Sequence, residues 1–356
     1  MSGSISGFGA GQMMAVVSVV EGRLKSNPDV NHNPLCRPLT QEATALIGDG
    51  TFDKTPKEFQ GGQIYTLHIE LNGENVPVGM AIMKNRTIDA YRAIFQTVRN
   101  RIEALRPGEP LNLQRILMDF EHAAWVAAEE VFEVPVFGCL FHFAQCITRR
   151  VQHEGMQEIY GQQGDVYRWV RQLVALSMVP VQFVRHIFDH YLDTFPETLI
   201  FPLNGQCRLL ADYFRLNYIN GAVAAVERWN HFDNFDDRTT NKAEGFHNKL
   251  NETLERRHMK LDRFLPKLQV EHNAVLVRIA QLEAGQEPRK KKPTYVQLNR
   301  RINEYRLDLS DWLQANPHAA EEERDLRLLQ YMRGMQWLLG SDAAPRRPTA
   351  EQLNRK

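Results

Sequence analysis

The 356-residue chain has no excess of charge of either sign: 43 Lys and Arg balance 43 Asp and Glu. With no net positive field to attract phosphate, binding nucleic acid through overall basicity is excluded, and an anionic partner has to be held at a local site. No stretch approaches the roughly 18 uninterrupted apolar residues of a membrane span. Met13–Val20 is short and no basic region precedes it, so it makes a poor signal peptide. Cysteine is scarce. Cys36, Cys139, Cys146 and Cys207 are scattered without a CxxC pair. That pattern argues against a disulfide scaffold or a self-contained zinc knuckle and predicts reduced thiols in an intracellular protein. The composition, 43% hydrophobic and 24% charged, excludes a mostly disordered or collagen-like chain. The length suits one large domain with an insertion, or two domains.

What is present begins with strands. Residues 1–40 are rich in Gly, Ser and Asn with one short apolar patch, and read as a poorly ordered lead-in. Ala43–Ile47 is a short apolar run meeting Gly48-Asp49-Gly50. Gln63–Leu71 alternates apolar and polar residues up to Asn72-Gly73, a strong hairpin signal, and Val76–Met83 supplies a third strand. From Thr87 the apolar positions Ile88, Tyr91, Ile94, Phe95, Val98, Ile102 and Leu105 recur with helical spacing until Pro107-Gly108. A strand at Gln114–Met118, a helix at Glu121–Phe132, a strand at Pro135–Leu140 and a helix at His142–His153 follow. The order β-β-β-α-β-α-β-α predicts a mixed sheet with helices on its faces.

Residues 156–228 show helical periodicity without strand patterns, as expected of an all-helical insertion. Two amphipathic helices resume at Arg238–Arg257 and Leu261–Leu282. A charged linker, Glu287–Pro293, leads to two more helices within 294–339 and a tail, Ser341–Lys356, expected to be disordered. The predicted organisation is a lead-in over 1–40, a core over 41–155 completed by 236–285, an insertion over 156–235, and a basic linker, helices and tail over 286–356.

Three acids stand where elements hand over. Asp49 lies in a Gly-Asp-Gly sequence that reads as a turn, yet an apolar strand runs into it and Thr51-Phe52 continues it, which would put the carboxylate on the sheet. Asp119 follows a short strand and precedes a helix. It suits an N-cap, and equally an acid at the carboxyl edge of a sheet, where open α/β folds place ligands. Glu244 has capping-box spacing from Asn241. Its helix also carries an apolar stripe, Ala243, Phe246, Leu250 and Leu254, opposite a polar stripe, Asn241, Glu244, Asn248 and Asn251. Three asparagines beside one glutamate suit a hydrogen-bonding face turned toward a site. Phosphoryl transfer on a nucleic-acid backbone needs such hard oxygen donors, because two divalent cations about 4 Å apart clamp the attacking and leaving oxygens.

Four segments then carry a resemblance: Ile47–Phe52 (IGDGTF), Met118–Glu121 (MDFE), Gly138–Phe143 (GCLFHF) and Thr240–His247 (TNKAEGFH). In this order and spacing, with a helical stretch between the last two, the chain from about Ala43 to Leu265 resembles the transposase domain of Mutator-like elements. The resemblance implies an RNase H-like fold, which with the helical stretches read above gives an α/β mixed sheet with an all-helical insertion and a helical C-terminal extension. It implies a DDE-type triad of Asp49, Asp119 and Glu244 holding two Mg2+ or Mn2+ ions, and cleavage and strand transfer on transposon ends and target DNA. It implies a nuclear protein without a membrane anchor, working as a homodimer or higher oligomer. Cys139 and His142 fall on the family's CxxH motif, with His142 expected beside the active site at the scissile phosphate or a metal-bound water.

Trp229, ahead of the Glu244 helix, is a candidate to stack on a flipped base, with core packing as the alternative. Arg289, Lys290, Lys291 and Lys292 are candidates for touching DNA or for a nuclear signal. The family's usual zinc-containing recognition module is not apparent. The expectation is therefore an active catalytic domain, with a domesticated or degenerate DNA-binding or regulatory protein as the alternative.

Overall fold

In the computed structural model, residues 14–17, 44–105, 108, 111–193, 204–221, 224–234, 238–254 and 256–339 are described. Except for Met14–Val17, the expected lead-in lies outside them, as does the tail from Ser341. The elements in chain order are β1 (Met14–Val17), β2 (Ala45–Thr51), β3 (Gln63–Leu71), β4 (Glu74–Met83), α1 (Ile88–Leu105), β5 (Arg115–Met118), α2 (His122–Phe132) and β6 (Val136–Gly138). There follow α3 (Leu140–His153), α4 (Gln157–Gly161), α5 (Asp165–Ala175), α6 (Val181–Ile187), α7 (Asn204–Phe214), α8 (Val226–Trp229), α9 (Asn241–Thr253), α10 (Leu261–Glu283), α11 (Pro293–Ala315) and α12 (Glu321–Leu338). Single π-helical turns extend α6 over Phe188–Leu192 and α7 over Arg215–Ile219.

The chain divides into two compact units, Met1–Phe137 with Thr239–Lys290, and Gly138–Arg238 with Lys291–Lys356. The expected boundaries fell at 155/156, 235/236 and 285/286. In the structure α3 and the two C-terminal helices group with the helical stretch.

The first unit is built on a mixed α/β sheet in the order β1-β4-β3-β2-β5-β6. Five strands form its body, and the short apolar patch of the lead-in adds β1, antiparallel to β4. The hairpin between β3 and β4 turns at Asn72 and Gly73, both left-handed (φ 48° and 83°), the backbone that Asn-Gly supplies at least cost. β2 pairs antiparallel with β3 and parallel with β5. Side chains on a strand alternate between faces. One face carries Tyr65, which meets Tyr91 and Phe95 of α1 edge-on at 5.1 and 6.1 Å. The other face carries Ile47, which packs with Leu117 and with Ala243 of α9.

The strand Ala45–Thr51 runs straight through Gly48-Asp49-Gly50, so of the two readings of Asp49 the turn is corrected and the place on the sheet holds. The two glycines have a packing cause. A Cβ at Gly48 would lie 2.3 Å from the Tyr65 hydroxyl, and one at Gly50 would lie 2.4 Å from Gln63 Oε1.

The second unit is helical. An aromatic cluster of Phe143, Phe214, Tyr218 and Trp229 fills part of its core. The C-terminal helices are integral to it: Tyr331 donates to the Met178 carbonyl (2.7 Å), Arg171 to the Gln336 carbonyl (2.9 Å) and buried Arg306 to the Asn234 carbonyl (2.7 Å). No described helix is long and apolar enough to cross a membrane.

Candidate functional site

Asp49 sits in the middle of β2, 3% exposed and directly opposite Thr66 on β3. The parallel register of β2 and β5 ends at Gly48 beside Met118. Asp119 is therefore the residue directly after β5, level with Asp49 on β2. Adjacent strands run about 4.8 Å apart, so the two acids are lateral neighbours.

Asp119 does not cap the following helix. α2 starts at His122 with Glu121 at the cap position, and the Asp119 carbonyl accepts from Glu121 N (2.8 Å) and Trp125 Nε1 (2.6 Å). Its carboxylate is half-buried and receives the Thr240 hydroxyl at 3.5 Å.

Thr240 leads into α9 and is itself the cap residue, so the Asn241–Glu244 capping box does not form. Asn241 and Glu244 are half-buried in the first turn and Asn248 is exposed one turn on. The buried line of α9 is Ala243, His247, Leu250 and Leu254, spaced 4-3-4, with Phe246 only partly covered. His247 thus replaces Phe246 on the stripe expected from the sequence. It follows Glu244 by three residues, on the same side of the helix.

His247 reaches Asp49: its Nδ1 lies 3.2 Å from Asp49 Oδ2. Burial pushes the His247 imidazole down to about 4, against the pull of the Asp119 and Glu244 carboxylates. The same cluster is felt by Tyr65, whose phenol is raised first by burial and then by Asp119, Glu121 and Asp49. Asp49, Asp119 and Glu244 are therefore electrostatic neighbours around one end of α9. Among the described residues their carboxylate oxygens do not all come within 4.8 Å of one another, so they form no single-ion cage.

A shallow pocket beside Asp119 is lined by Gly50, Gln63, Tyr65, Met118 and Glu121. Glu121 is held above the usual carboxylate range, by burial first and with Asp119 adding to it, while Tyr91 and Arg86 pull it down. The sequence offers Glu121 only as the start of a helix and the last residue of the Met118–Glu121 segment. The signal for more is its place two residues beyond Asp119.

The other candidates are placed as follows. Cys139 is fully buried at the start of α3, and His142 is half-buried on its first turn, edge-on to Phe141. Both belong to the second unit. Trp229 has no exposed surface: it stacks on Phe143 at 4.8 Å and donates to the Tyr218 carbonyl at 3.1 Å. Base stacking is corrected to core packing. Arg289, Lys290, Lys291 and Lys292 are all exposed. Arg289 is partly committed, its backbone N–H and guanidinium both turned to Glu74, which Arg278 also holds.

Compared with known proteins, the chain matches no family model and no curated protein.

Proposed function

We propose that the chain is a DDE-type polynucleotidyl transferase domain of the Mutator-like kind, with an RNase H-like fold, acting on DNA in the nucleus. The observation that carries the reading is topological. The five-strand body runs third-second-first-fourth-fifth. Its first and fourth strands carry acids at matching positions, and a helix arriving from far downstream adds a third acid next to them.

The donors fit divalent cations. All three are hard carboxylate oxygens. Two ions need not share a single cage, because each can take part of the set. Asp49, Asp119 and Glu244 would hold Mg2+ or Mn2+, which when bound activate the attacking oxygen and stabilise the leaving one. The chain's own part is to fix these carboxylates on a rigid sheet and a packed helix, since a misplacement of about 1 Å costs on the order of a hundredfold in rate.

The reading predicts Mg2+- or Mn2+-dependent nicking or strand transfer on duplex DNA that disappears in Asp119→Asn. Cleavage surviving that substitution removes the mechanism. Binding of DNA without metal-dependent cleavage by the wild type would favour a regulatory protein that keeps only the fold.

A further inference from the structure

Behind Asp49 lies a line of buried polar groups that acid chemistry does not itself require. His247 Nδ1 is 3.2 Å from Asp49 Oδ2, and His247 Nε2 is 2.7 Å from Thr66 Oγ1. His68 Nε2 is 2.9 Å from that same hydroxyl, and Asn75 Nδ2 is 3.0 Å from His68 Nδ1. Thr66 and His68 have no exposed surface.

The placement of each hydrogen follows from the two ends. A carboxylate only accepts, so His247 Nδ1 carries a hydrogen. The amide nitrogen of Asn75 only donates, so His68 Nδ1 accepts and the ring proton of His68 sits on Nε2. His68 then donates to Thr66 Oγ1. The single hydroxyl hydrogen of Thr66 has two acceptors within reach, His247 Nε2 at 2.7 Å and the Asp49 carbonyl at 3.3 Å, and the shorter contact assigns it to His247 Nε2. The assignments made from opposite ends then meet at Thr66, which accepts from His68 and donates to His247.

Both rings are neutral in this arrangement. Both rings are enclosed, His247 at 5% exposure and His68 with no exposed surface. Both nitrogens of each ring are engaged, so neither imidazole is available as a metal ligand.

We propose that Asn75, His68, Thr66 and His247 form a one-way hydrogen-bond relay that locks His247 as an Nδ1–H donor and holds the Asp49 carboxylate in one orientation. This rests on the reading of Asp49 as a metal-binding acid. One carboxylate oxygen is anchored by His247 and the other receives the Gly50 N–H at 3.0 Å, so the group is held at both oxygens. The four are positioning residues. Such supporting hydrogen bonds typically change metal affinity by about 10- to 100-fold when removed.

The test uses the full chain with 15N-labelled histidine and Mn2+ alone as the probe. In metal-free protein at neutral pH, the imidazole nitrogen shifts should report a proton on Nδ1 of His247 and on Nε2 of His68, assigned through His247→Gln and His68→Gln. Thr66→Val should disturb the His247 tautomer and weaken Mn2+ binding about tenfold or more, while Thr66→Ser keeps both. A His247 proton on Nε2, or unchanged Mn2+ affinity in a folded Thr66→Val, overturns the relay and leaves the functional reading standing. Absence of Mn2+ binding in the wild type, matched by Asp49→Asn, overturns both.

Discussion

Asp49 and His247 concentrate the behaviour of the site into one contact. A buried carboxylate meets an imidazole that burial keeps neutral, and the pair is sensitive to pH. The folded-state value of His247, about 4, lies below its ordinary 6.5, so the unfolded chain takes up the proton first as pH falls. The stability contributed by neutral His247 is complete above about pH 6.5 and is lost progressively as pH drops through about 4. For metal-free protein this predicts a loss of about 2 kcal/mol between pH 7 and pH 5 from His247 alone, read from urea midpoints. His68, also held low, acts in the same direction. His247→Gln should flatten the dependence, and an unchanged slope in that variant would show that His247 is not held neutral by the fold.

Trp229 illustrates the opposite outcome for a residue chosen from its chemistry. An aromatic side chain near a site suggests a base to stack on, but sequence cannot show whether its face is exposed. Here the side chain is wholly enclosed. Trp229→Ala should cost about 3–5 kcal/mol of stability, the usual penalty for emptying a buried aromatic position. A loss of DNA binding with stability unaltered would restore the stacking role.

At the scale of elements, β2 and β3 explain each other. β2 carries glycine on both sides of its acid because Tyr65 and Gln63 of β3 fill the space that Cβ atoms would need. The Tyr65 hydroxyl is buried without a hydrogen-bond partner. Gly48→Ala should therefore destabilise by about 1–3 kcal/mol through overpacking. Tyr65→Phe, which removes the clashing oxygen together with an unsatisfied polar group, should recover most of that loss in the double variant. Additive effects in the double-mutant cycle would mean that the two positions do not compete for the same space.

The elements differ in how far the sequence reveals them. Alternation over Gln63–Leu71 and helical spacing over Ile88–Leu105 identify a strand and a helix whatever surrounds them. The Asn72-Gly73 turn is equally local. Gly48-Asp49-Gly50 is not: its small residues suit a turn as well as a strand, and the choice depends on the tyrosine from the neighbouring strand. β1 is hidden for a related reason, since four apolar residues among Gly and Ser become a strand only beside β4. The three acids are legible as residue types at element ends. Their mutual placement depends on the parallel register of β2 and β5, a long-range pairing. His247 is missed because a histidine interrupts an apolar stripe by type while continuing it by position.

Over the whole molecule, the division into units differs from one drawn along the chain. Periodicity shows that α3, α11 and α12 each bury a face, and it does not show against what. In the structure α12 packs with α5 and α11, and Asp325 of α12 accepts from Tyr191 (2.8 Å) and lies 2.7 Å from His186 Nε2. The last two helices are thus part of the helical unit. Ending the chain after Lys290 should remove the cooperative thermal transition of that unit and open residues 138–238 to protease. A truncated chain with the same melting temperature and protease resistance would make α11 and α12 a dispensable extension. The balanced net charge gains a local meaning here as well. Acids gather where β2, β5 and α9 meet, while Arg289 and its neighbours expose base at the far end of the first unit's sequence.

In the proposed function α9 completes, with Glu244, a metal-dependent site begun by Asp49 and Asp119. The most direct measurement is single-turnover cleavage of one DNA duplex in Mg2+ or Mn2+ by the wild type, Asp49→Asn, Asp119→Asn and Glu244→Gln, each verified as folded. Cleavage by the wild type alone is expected, with all three variants at background. Glu244→Gln cleaving at the wild-type rate, or a wild type that leaves the duplex intact in either metal, would contradict it.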